Sequence, residues 1–499
     1  MSLSDTGLPD DYRPWPALWA MVIGFFMILV DATIVSVATP AIMEAFDADV
    51  NSVLWVTSAY LLAYAVPLLV TGRLGDRIGP RNIYLVGLAL FTASSLWCGL
   101  TGTIEELVLA RIVQGFGAAL MTPQTMAVIT RTFPADARGQ AMALWGATAG
   151  VAMMVGPVLG GLLIDGPGWE WIFFVNVPVG VVGFVLAWRL VPHLQTHSHR
   201  FDPLGVVLST IGLFLLVFGI QEGERYDWGT INGWLSVPLL IGGGLAFLGA
   251  FLYWQSRNKG EPLVPLSLFS DRNFSLSNAA ITTVAFAFTA LGFPFMLYAQ
   301  LVRGWTPTES ALLLLPMAVA AMLLAPLVGK ISDRAHPRVP ATFGFACSSL
   351  ALVWMSTQMT TGSSTLALLL PMGLLGVGSA FMWAPLAATA TRNLPLQSAG
   401  AGSGVYNTTR QIGSVLGSAG VAALMSSRLA AELGERAGDG AQMGASTERL
   451  PPMIAGHFSD AMAQSMLLPA AAIAAGLVVV LFLEDFMRGP AAAPSEPQE

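Results

Sequence analysis

The sequence predicts an all-α polytopic membrane protein with 14 transmembrane helices. Two six-helix bundles are expected, with two further helices inserted between them. Three observations support this fold class. Of the 499 residues, 55% are hydrophobic and 11% are charged, a composition outside the range of soluble proteins. Apolar runs long enough to cross a bilayer recur along nearly the whole chain. The first and last parts of the chain also share an internal repeat.

Fourteen apolar runs are candidate transmembrane helices, each about 20 residues long and sufficient for a hydrocarbon core of roughly 30 Å. In chain order the predicted spans are 17–39, 53–71, 82–100, 106–130, 140–164, 172–190, 204–221, 234–255, 274–300, 308–329, 340–359, 364–390, 399–425 and 463–486. Most of the 23 Lys and Arg residues fall in alternate loops, as expected for cytoplasmic loops. Both termini are therefore predicted to be cytoplasmic, with the first helix retained.

The internal repeat relates the first six spans to the last six. A constant shift aligns residues of the fourth and twelfth spans: Gly115 with Gly376, Gly117 with Gly378 and Arg131 with Arg392. Segment 72–77 is likewise echoed by 329–334. The predicted organisation is a cytoplasmic segment 1–16, a bundle 17–190, inserted helices with connectors 191–272, a second bundle 273–486 with an extracytoplasmic loop 426–462, and a cytoplasmic tail 487–499. Duplicated bundles enclose a substrate site near the membrane midplane.

Asp31 is the leading functional candidate because it follows the apolar run 17–30 within the first span. A charged side chain near the bilayer centre costs roughly 2.5–3.5 kcal/mol, so it usually persists to bind a cation or carry a proton. Arg111, in the fourth span, needs a carboxylate or several carbonyls to offset its own desolvation. It is expected to tune the protonation of a nearby acid, with a permanent structural pair as the alternative.

Several classes of function lack support in the sequence. The net charge of −7 is spread over many loops and provides no basic patch for nucleic acid. No phosphate-binding glycine loop or nucleophile elbow is present, so we predict that the protein is not an enzyme. His193, His197 and His199 fall in one connector without Cys or clustered carboxylates, so no metal site is predicted. Cys98 and Cys347 lie singly in apolar spans.

Four segments together resemble one transporter family. They are the helix 1 string 31–40, which begins with Asp31 and ends with Pro40, the turn 72–81, the helix 4 string 111–119, and the helix 5 string 156–161. Their sequences resemble the motifs of the major facilitator superfamily, specifically its 14-helix EmrB/QacA-type drug:proton antiporter branch. The resemblance covers nearly the whole chain. It implies a multi-pass protein of the bacterial cytoplasmic (inner) membrane, without cofactors, nucleic acid or an obligate protein partner.

The resemblance also implies roles for particular residues. In the turn 72–81, glycines are expected to allow a tight reversal, while Asp76 faces a helix N-terminus and locks the two halves together. The predicted latch residues are Gly72, Asp76, Arg77, Gly79 and Arg81. In helix 5, a proline that kinks the helix and glycines that permit close packing suggest a bending seam. The predicted hinge residues are Gly156, Pro157, Gly160 and Gly161.

Aromatic and methionine side chains on several spans are candidates for the wall of the substrate cavity. The predicted substrate-binding residues are Phe26, Trp55, Tyr60, Trp145, Met154, Phe293, Met296, Tyr406 and Arg410. Such walls suit amphiphilic, often cationic, molecules. Arg410 is expected either to contact substrate or to support its helix against the latch. Glu222, just after the seventh span, is a second candidate for protonation.

The predicted function is proton-coupled secondary active export of small amphiphilic, cationic compounds (multidrug efflux) by alternating access, with protonation of Asp31 opposing substrate occupancy. The first alternative is a dedicated exporter of one metabolite, siderophore or antibiotic. A membrane scaffold or sensor that moves no solute is the alternative from a different class of protein.

Overall fold

The computed structural model describes residues 12–48, 50–134, 137–196, 202–223, 226–258, 262–394, 398–433 and 450–484. These residues form a helical bundle with one short β-hairpin. Long apolar runs explain the helices, because a membrane-embedded backbone must satisfy its hydrogen bonds within each segment.

Helices α1 to α8 make up the N-terminal half. They are α1 (Pro14–Phe46), α2 (Val50–Ala65), α3 (Leu68–Ile78), α4 (Pro80–Cys98), α5 (Ile104–Thr132), α6 (Arg138–Asp165), α7 (Trp171–Phe174) and α8 (Asn176–Leu190). Prolines in the first turn begin α1 and α4, where the missing N–H has no cost. Thr103 caps α5 by accepting a hydrogen bond from the Glu106 N–H.

The inserted segment and the C-terminal half follow. The insert consists of α9 (Pro203–Gln221), a hairpin of β1 (Thr230–Asn232) and β2 (Leu235–Ser236), and α10 (Val237–Arg257). The second half begins with a 3₁₀ turn (Leu266–Ser270). Its helices are α11 (Arg272–Leu297, extended by a π turn Tyr298–Val302), α12 (Pro307–Leu312), α13 (Leu315–Arg334), α14 (Arg338–Gln358), α15 (Thr365–Arg392), α16 (Ala399–Leu433), α17 (Pro452–Ser465) and α18 (Leu467–Val480).

Each of the predicted spans overlaps one of these helices or a consecutive pair of them. By length and hydropathy, 10 helices in the described part of the chain could cross a membrane, or 11 if α2 and α3 count as one span bent by 47°. The helical, multi-pass character is confirmed. The count of fourteen stays a prediction.

Two local predictions need correction. Segment 72–81 is mostly helix, because α3 continues to Ile78 and the chain turns only at Gly79, whose φ is +99°. In the predicted loop 426–462, helix occupies the part before Leu433 and the part after Pro452. Residues 434–449 lie outside the described residues, as do His197, His199 and most of the predicted terminal segments 1–16 and 487–499.

The two halves contact each other through a small set of helices. Helix α6 of the first half packs against α13 and α15 of the second, and α3 packs against α16. Two hydrogen bonds cross between the halves at one end of the molecule. The N–H of Gly139, in the first turn of α6, donates to Asp333, and the N–H of Gly400, in the first turn of α16, donates to Asp76. We call this region the Asp76 end.

Candidate functional site

A buried ion pair lies inside the N-terminal half. Arg111 Nη1 of α5 donates a hydrogen bond to Asp31 Oδ2 of α1 at a distance of 2.5 Å, and both side chains are 0% exposed. Gln114 Nε2 and Asn176 Nδ2 donate to the other carboxylate oxygen, over 2.9 and 3.0 Å. The carboxylate of Asp31 therefore accepts hydrogen bonds from residues of two other helices, α5 and α8.

The remaining polar atoms of this cluster are also connected. Arg111 and Gln114 lie one turn apart on α5, which puts both on one helix face. Arg111 donates to Gln114 Oε1 over 2.6 Å and to the Val56 carbonyl over 3.1 Å. Ser95 of α4 accepts from Gln114 and Asn176 over 3.2 and 3.0 Å. The network thus joins α1, α2, α4, α5 and α8.

The pair retains one unsatisfied donor. Arg111 Nη2 is buried without a hydrogen-bond partner among the described residues, while the guanidinium lies 4.0 Å from the ring centroid of Tyr60 on α2. Removing one partner of a buried pair leaves an uncompensated charge and costs about 3–5 kcal/mol. Protonation of the carboxylate would likewise leave the Arg111 charge without its counter-ion.

Asp31 and Arg111 could be identified from sequence because a charge in an apolar span is conspicuous. The sequence analysis assigned no role to Gln114, Ser95 or Asn176. Their signal is weaker, since uncharged polar residues in membrane helices also form ordinary interhelical hydrogen bonds.

Asp76 joins the two halves at the N-terminus of α16. Its carboxylate accepts hydrogen bonds from the N–H groups of Gly400 and Ala401, each over 2.9 Å, and forms an ion pair with Arg131 of α5. Unpaired N–H groups and the helix dipole favour a negative charge at this position. The partner of Asp76 is thus Arg131, to which the sequence analysis assigned no latch role.

A second carboxylate, in the C-terminal half, contacts a helix N-terminus of the N-terminal half. Asp333 of α13 accepts a hydrogen bond from the Gly139 N–H at the N-terminus of α6, over 2.6 Å. Segment 329–334 was noted only as a repeat of 72–77. Its aspartate occupies the corresponding position in space as well as in sequence.

Arg138 connects helix C-termini at the same end. It donates to carbonyls of its own half and of the C-terminal half: Thr130, Phe133, Thr391 and Arg392. Carbonyls at helix C-termini lack intrahelical partners and carry partial negative charge. One buried guanidinium therefore holds the ends of α5 and α15 together.

The other predicted latch residues have different surroundings. Gly72 lies inside α3, where a Cβ atom would stand 2.4 Å from the Gly400 carbonyl oxygen. This glycine therefore permits close approach of α3 and α16, where a tight reversal was predicted. Arg81 contacts His193 and the Trp188 carbonyl in the first half. Arg77 is exposed.

The predicted hinge residues lie on α6, which runs as one helix from Arg138 to Asp165. A Cβ atom at Gly156 would stand 1.9 Å from Thr33 Oγ1 and 3.2 Å from the Val30 carbonyl of α1. Gly156 therefore lets α6 contact α1 next to Asp31. Gly160 is buried and Gly161 half-buried, while the side chains of Met154 and Pro157 lie outside the described residues.

Four of the predicted cavity residues lie apart from the centre or only partly face the interior. Phe293 is 56% exposed, and Phe26 and Met296 are half-buried. Trp55 contacts Phe218 of the inserted helix α9, with ring centroids 5.8 Å apart. Glu222 follows α9 and is 7% exposed.

Tyr60, Trp145, Tyr406 and Arg410 are all buried. Arg410 Nη2 donates to the Tyr64 hydroxyl over 3.3 Å, which joins α16 of one half to α2 of the other. The Arg410 guanidinium also lies 5.7 Å from the Trp145 ring centroid. Tyr64 and Tyr60 are one turn apart on α2, with ring centroids separated by 6.2 Å.

A cavity of about 40 Å³ lies between the halves. It is lined mainly by alanines, with Phe288, Met317 and Trp383. Ligand pockets usually have volumes of about 300–1,000 Å³. This cavity is therefore too small for an amphiphile, and substrate binding between the halves requires them to separate.

Asp202 organises the inserted helices. It caps α9 by accepting from the Gly205 N–H and also accepts from Trp254 and Gln255 of α10, over 2.8–2.9 Å. Burial raises the pKa of this carboxyl, but the hydrogen bonds together outweigh burial and hold the pKa below its ordinary value. The ionised carboxylate thus fastens α9 to α10.

A bundle of apolar helices in two related halves, with interlocked helix ends and a buried charge pair, defines a multi-pass transporter of the membrane. The chain belongs to the Major Facilitator Superfamily, whose family model matches residues 21–418. Members of this superfamily transport small molecules and are not enzymes.

Several proteins of this superfamily are similar to the chain in sequence. An uncharacterized MFS-type transporter of Mycobacterium tuberculosis is 52% identical, with 97% of this chain and 83% of the relative covered. A tetracenomycin C resistance and export protein of Streptomyces glaucescens is 35% identical, covering 84% of this chain and 77% of the relative. The multidrug resistance protein Stp of Mycobacterium tuberculosis is 34% identical, covering 83% and 76%.

Solved structures support the fold alone. The human organic anion transporter MFSD10 aligns with a TM-score of 0.61 at 13% identity, covering 92% of this chain and 99% of that chain. The proton:xylose symporter XylE aligns with a TM-score of 0.60 at 13% identity, covering 95% of this chain and 96% of that chain.

Proposed function

We propose that this transporter is a proton-coupled exporter of small amphiphilic molecules, residing in the cytoplasmic membrane with both termini inside. The observation that carries the proposal is the fully buried Asp31–Arg111 pair. A buried carboxylate is expensive to retain in a membrane protein unless it binds a cation or carries a proton. The sequence similarity to resistance and export proteins supports outward transport of drug-like molecules.

The energy for export is proposed to come from the proton gradient. Moving one charge down a membrane potential yields about 2.3 kcal/mol per 100 mV, and one pH unit adds about 1.4 kcal/mol per proton. Two protons at 100 mV and one pH unit would supply roughly 7 kcal/mol, enough for a concentration ratio of about 10⁵.

The mechanism begins with a proton on Asp31. Protonation removes the negative charge that balances Arg111, and the hydrogen bonds from Gln114 and Asn176 lose their charged acceptor. Arg111 then favours a different position relative to α1. Because Gly156 packs α6 against α1 at Thr33, a shift of α1 also moves α6, which contacts the C-terminal half.

Helix α2 provides a route from the proton site to the centre of the molecule. Tyr60 lies beneath Arg111, and Tyr64, one turn away, accepts a hydrogen bond from Arg410 of the other half. A change at Arg111 and a change at Arg410 would therefore both act on α2. This shared contact gives a physical basis for protonation and substrate occupancy to oppose each other.

The Asp76 end is proposed to be the cytoplasmic gate. Carboxylates at the N-termini of α16 and α6 hold the halves together there, and the arginine-rich loops predicted to be cytoplasmic lie at the same end of α3, α5 and α13. Separation of these contacts would open the centre towards the cytoplasm, and their formation would close it.

The charged residues at the centre of the molecule bear on the charge of the substrates. Aromatic residues alone favour cations, yet the charged side chain described at the centre, outside the Asp31 cluster, is Arg410. A dedicated exporter of one compound is the second candidate, supported by the similarity to the tetracenomycin C export protein. Glu222 is a second proposed proton carrier, because it is largely buried at the end of α9.

Export can be tested in inside-out membrane vesicles with acid-driven uptake of a panel of fluorescent dyes. The proposal expects uptake that collapses when a protonophore dissipates the gradient and that is absent from vesicles lacking the protein. Uptake of many dyes would support multidrug export, and uptake of one compound would support a dedicated exporter. Dye uptake that survives the protonophore would refute proton coupling, and a failure to move any solute would favour a scaffold or sensor.

A further inference from the structure

We infer that Arg410, Tyr406 and Trp145 form a recognition site for an acidic group, so that the exported molecules are amphiphilic acids with a carboxylate or phenolate beside an aromatic body. This inference rests on the proposed function, because it names the substrate class of the same transporter. It also revises the expectation of cationic substrates drawn from the aromatic residues.

The first observation is that three buried donors lack acceptors. Arg410 Nε, Trp145 Nε1 and the Tyr406 hydroxyl have no hydrogen-bond partner among the described residues. Their side chains are 6%, 1% and 0% exposed. A buried donor without a partner costs about 1–3 kcal/mol, and an acceptor that occupied the site during function would remove this cost for all three donors.

The second observation is that the donors converge. Tyr406 and Arg410 are separated by one turn of α16, which places them on one face. Trp145 lies on α6 in the other half, and the Arg410 guanidinium stands 5.7 Å from its ring centroid. An acceptor group between α6 and α16 would therefore be within reach of donors from both halves.

The third observation concerns charge. Within the described residues, no carboxylate forms an ion pair with Arg410, whose hydrogen-bond partner is the neutral hydroxyl of Tyr64. Asp31 is already paired with Arg111 and Asp76 with Arg131. A guanidinium in a low-dielectric interior is stabilised most by an anion that it can bind through two parallel hydrogen bonds.

The surrounding rings account for the apolar part of the substrate. Trp145 stacks on Phe25 with ring centroids 4.8 Å apart, and Tyr64 stacks on Tyr60. When the halves separate, these faces and the donors of α16 would be exposed together. An aromatic acid matches both features, whereas an aromatic cation would place its charge next to Arg410.

The proposal can be tested with two dyes that share a three-ring xanthene body. Fluorescein carries a free carboxylate and a phenolate at pH 8, and rhodamine 123 is a cationic methyl ester. Binding of each to purified full-length protein is measured by fluorescence anisotropy in detergent. The site should bind fluorescein at least about 10-fold more tightly than rhodamine 123, because a hydrogen bond to a charged group contributes about 1.5–3 kcal/mol.

Conservative variants separate recognition from folding. Tyr406→Phe and Trp145→Phe remove donors that have no partner in the protein, so neither should lower the thermal unfolding temperature through loss of a hydrogen bond. Each should weaken fluorescein binding by about 3- to 10-fold. Arg410→Gln should remove the preference for the acid, Arg410→Lys should restore part of it, and Tyr253→Phe, at an exposed tyrosine of α10, should change nothing.

Equal affinity for the two dyes, undetectable fluorescein binding, or unchanged fluorescein binding in Tyr406→Phe would overturn the inference. The assay requires no gradient, so it fails independently of proton coupling. A protein that binds fluorescein through Arg410 but shows gradient-independent transport would keep this inference and lose the proposed function. Proton-driven export without a preference for acids would support the proposed function and overturn this inference.

Discussion

At the scale of single residues, Asp31 differs from the two aspartates of the Asp76 end because its hydrogen-bond donors are side chains. Arg111, Gln114 and Asn176 all donate to its carboxylate, whereas Asp76 and Asp333 accept mainly from backbone N–H groups. Side chains can reorient without disrupting a helix. A carboxylate bound by side chains is therefore suited to a reversible change of charge, and one bound by helix ends is suited to holding helices together.

Asn176→Ala tests whether this cluster sets the pH dependence of transport. The substitution removes one hydrogen bond that the ionised carboxylate of Asp31 accepts. The midpoint of the transport–pH profile should therefore differ from that of the wild type, because a hydrogen bond to a charged group contributes about 1.5–3 kcal/mol. Initial transport rates in proteoliposomes between pH 5 and 9 give the midpoint.

Asn82→Ala is the matched control, because Asn82 is exposed and donates to the backbone carbonyl of Ile78, the last residue of α3. It should leave the profile unchanged. An Asn176→Ala protein with the wild-type midpoint would show that Asn176 has only a structural role.

At the scale of helices, closure of the Asp76 end depends on the absence of side chains between α3 and α16. Gly72→Ala should prevent full closure, because its Cβ would lie 2.4 Å from the Gly400 carbonyl oxygen. This oxygen and the next nearest atoms, Cα and N of Gly404, are backbone atoms that cannot rotate away. Spin labels can be placed at Ile78 and Val339, which are exposed residues of opposite halves. In this variant, a larger fraction of molecules than in the wild type should show a long distance between the two labels.

Gly242→Ala controls for the substitution itself, because nothing lies within 4 Å of a Cβ at that position of α10. It should keep the wild-type distance distribution. If Gly72→Ala also kept that distribution, the close approach of α3 and α16 would not determine closure.

Arg138→Lys tests the other contact at the same end. Lysine keeps the charge but cannot donate to four carbonyls from a planar fork. We expect the open population in the same distance measurement to rise by about tenfold, which corresponds to roughly 1.4 kcal/mol of lost closure. Arg189→Lys, at an exposed arginine of α8, should have no effect. An unchanged population in Arg138→Lys would exclude Arg138 from the gate.

The contact between α9 and α10 has a defined pH dependence. The pKa of Asp202 is lower in the folded protein than its usual value of about 3.9. The ionised carboxylate therefore adds stability above about pH 4, and that stability is lost as the pH falls through the lowered pKa. Asp202→Asn should lower the thermal unfolding temperature equally at pH 6 and pH 8, with a smaller difference below pH 4.

Asp460→Asn, at an exposed position of α17, is the control for this pH series. A difference between wild type and Asp202→Asn that grew on acidification would contradict the assignment of an ionised carboxylate.

At the scale of the whole molecule, the two halves share a framework but not the charge pair. The shift that aligns the repeats places Gly292 at the position of Asp31 and Met372 at that of Arg111. Helix-end contacts by aspartate occur in both halves, at Asp76 and Asp333. The repeat thus provides a symmetric closure, while the proposed proton chemistry is confined to the N-terminal half and the acid-binding donors include α16 of the other.

Much of this framework could be predicted from sequence. Helical spans follow from hydropathy, and the charges of Asp31 and Arg111 stand out against apolar surroundings. Asp76 belongs to a segment that resembles a family motif. The partners could not be predicted in the same way. Asn176 and Arg138 act through contacts between helices distant in sequence, and Gly72 acts through what its missing side chain permits. Such contacts depend on helix packing, which the periodicity of a single span does not specify.

The central claim is that Asp31 carries the coupled proton. The most direct measurement loads proteoliposomes with a pH-sensitive dye and follows proton and substrate movement together, for wild type and Asp31→Asn. We expect outward substrate movement and inward proton movement to occur together in the wild type, and we expect an imposed gradient to drive no transport in Asp31→Asn. Gradient-driven transport with proton movement preserved in Asp31→Asn would contradict it and assign the proton to another acid such as Glu222.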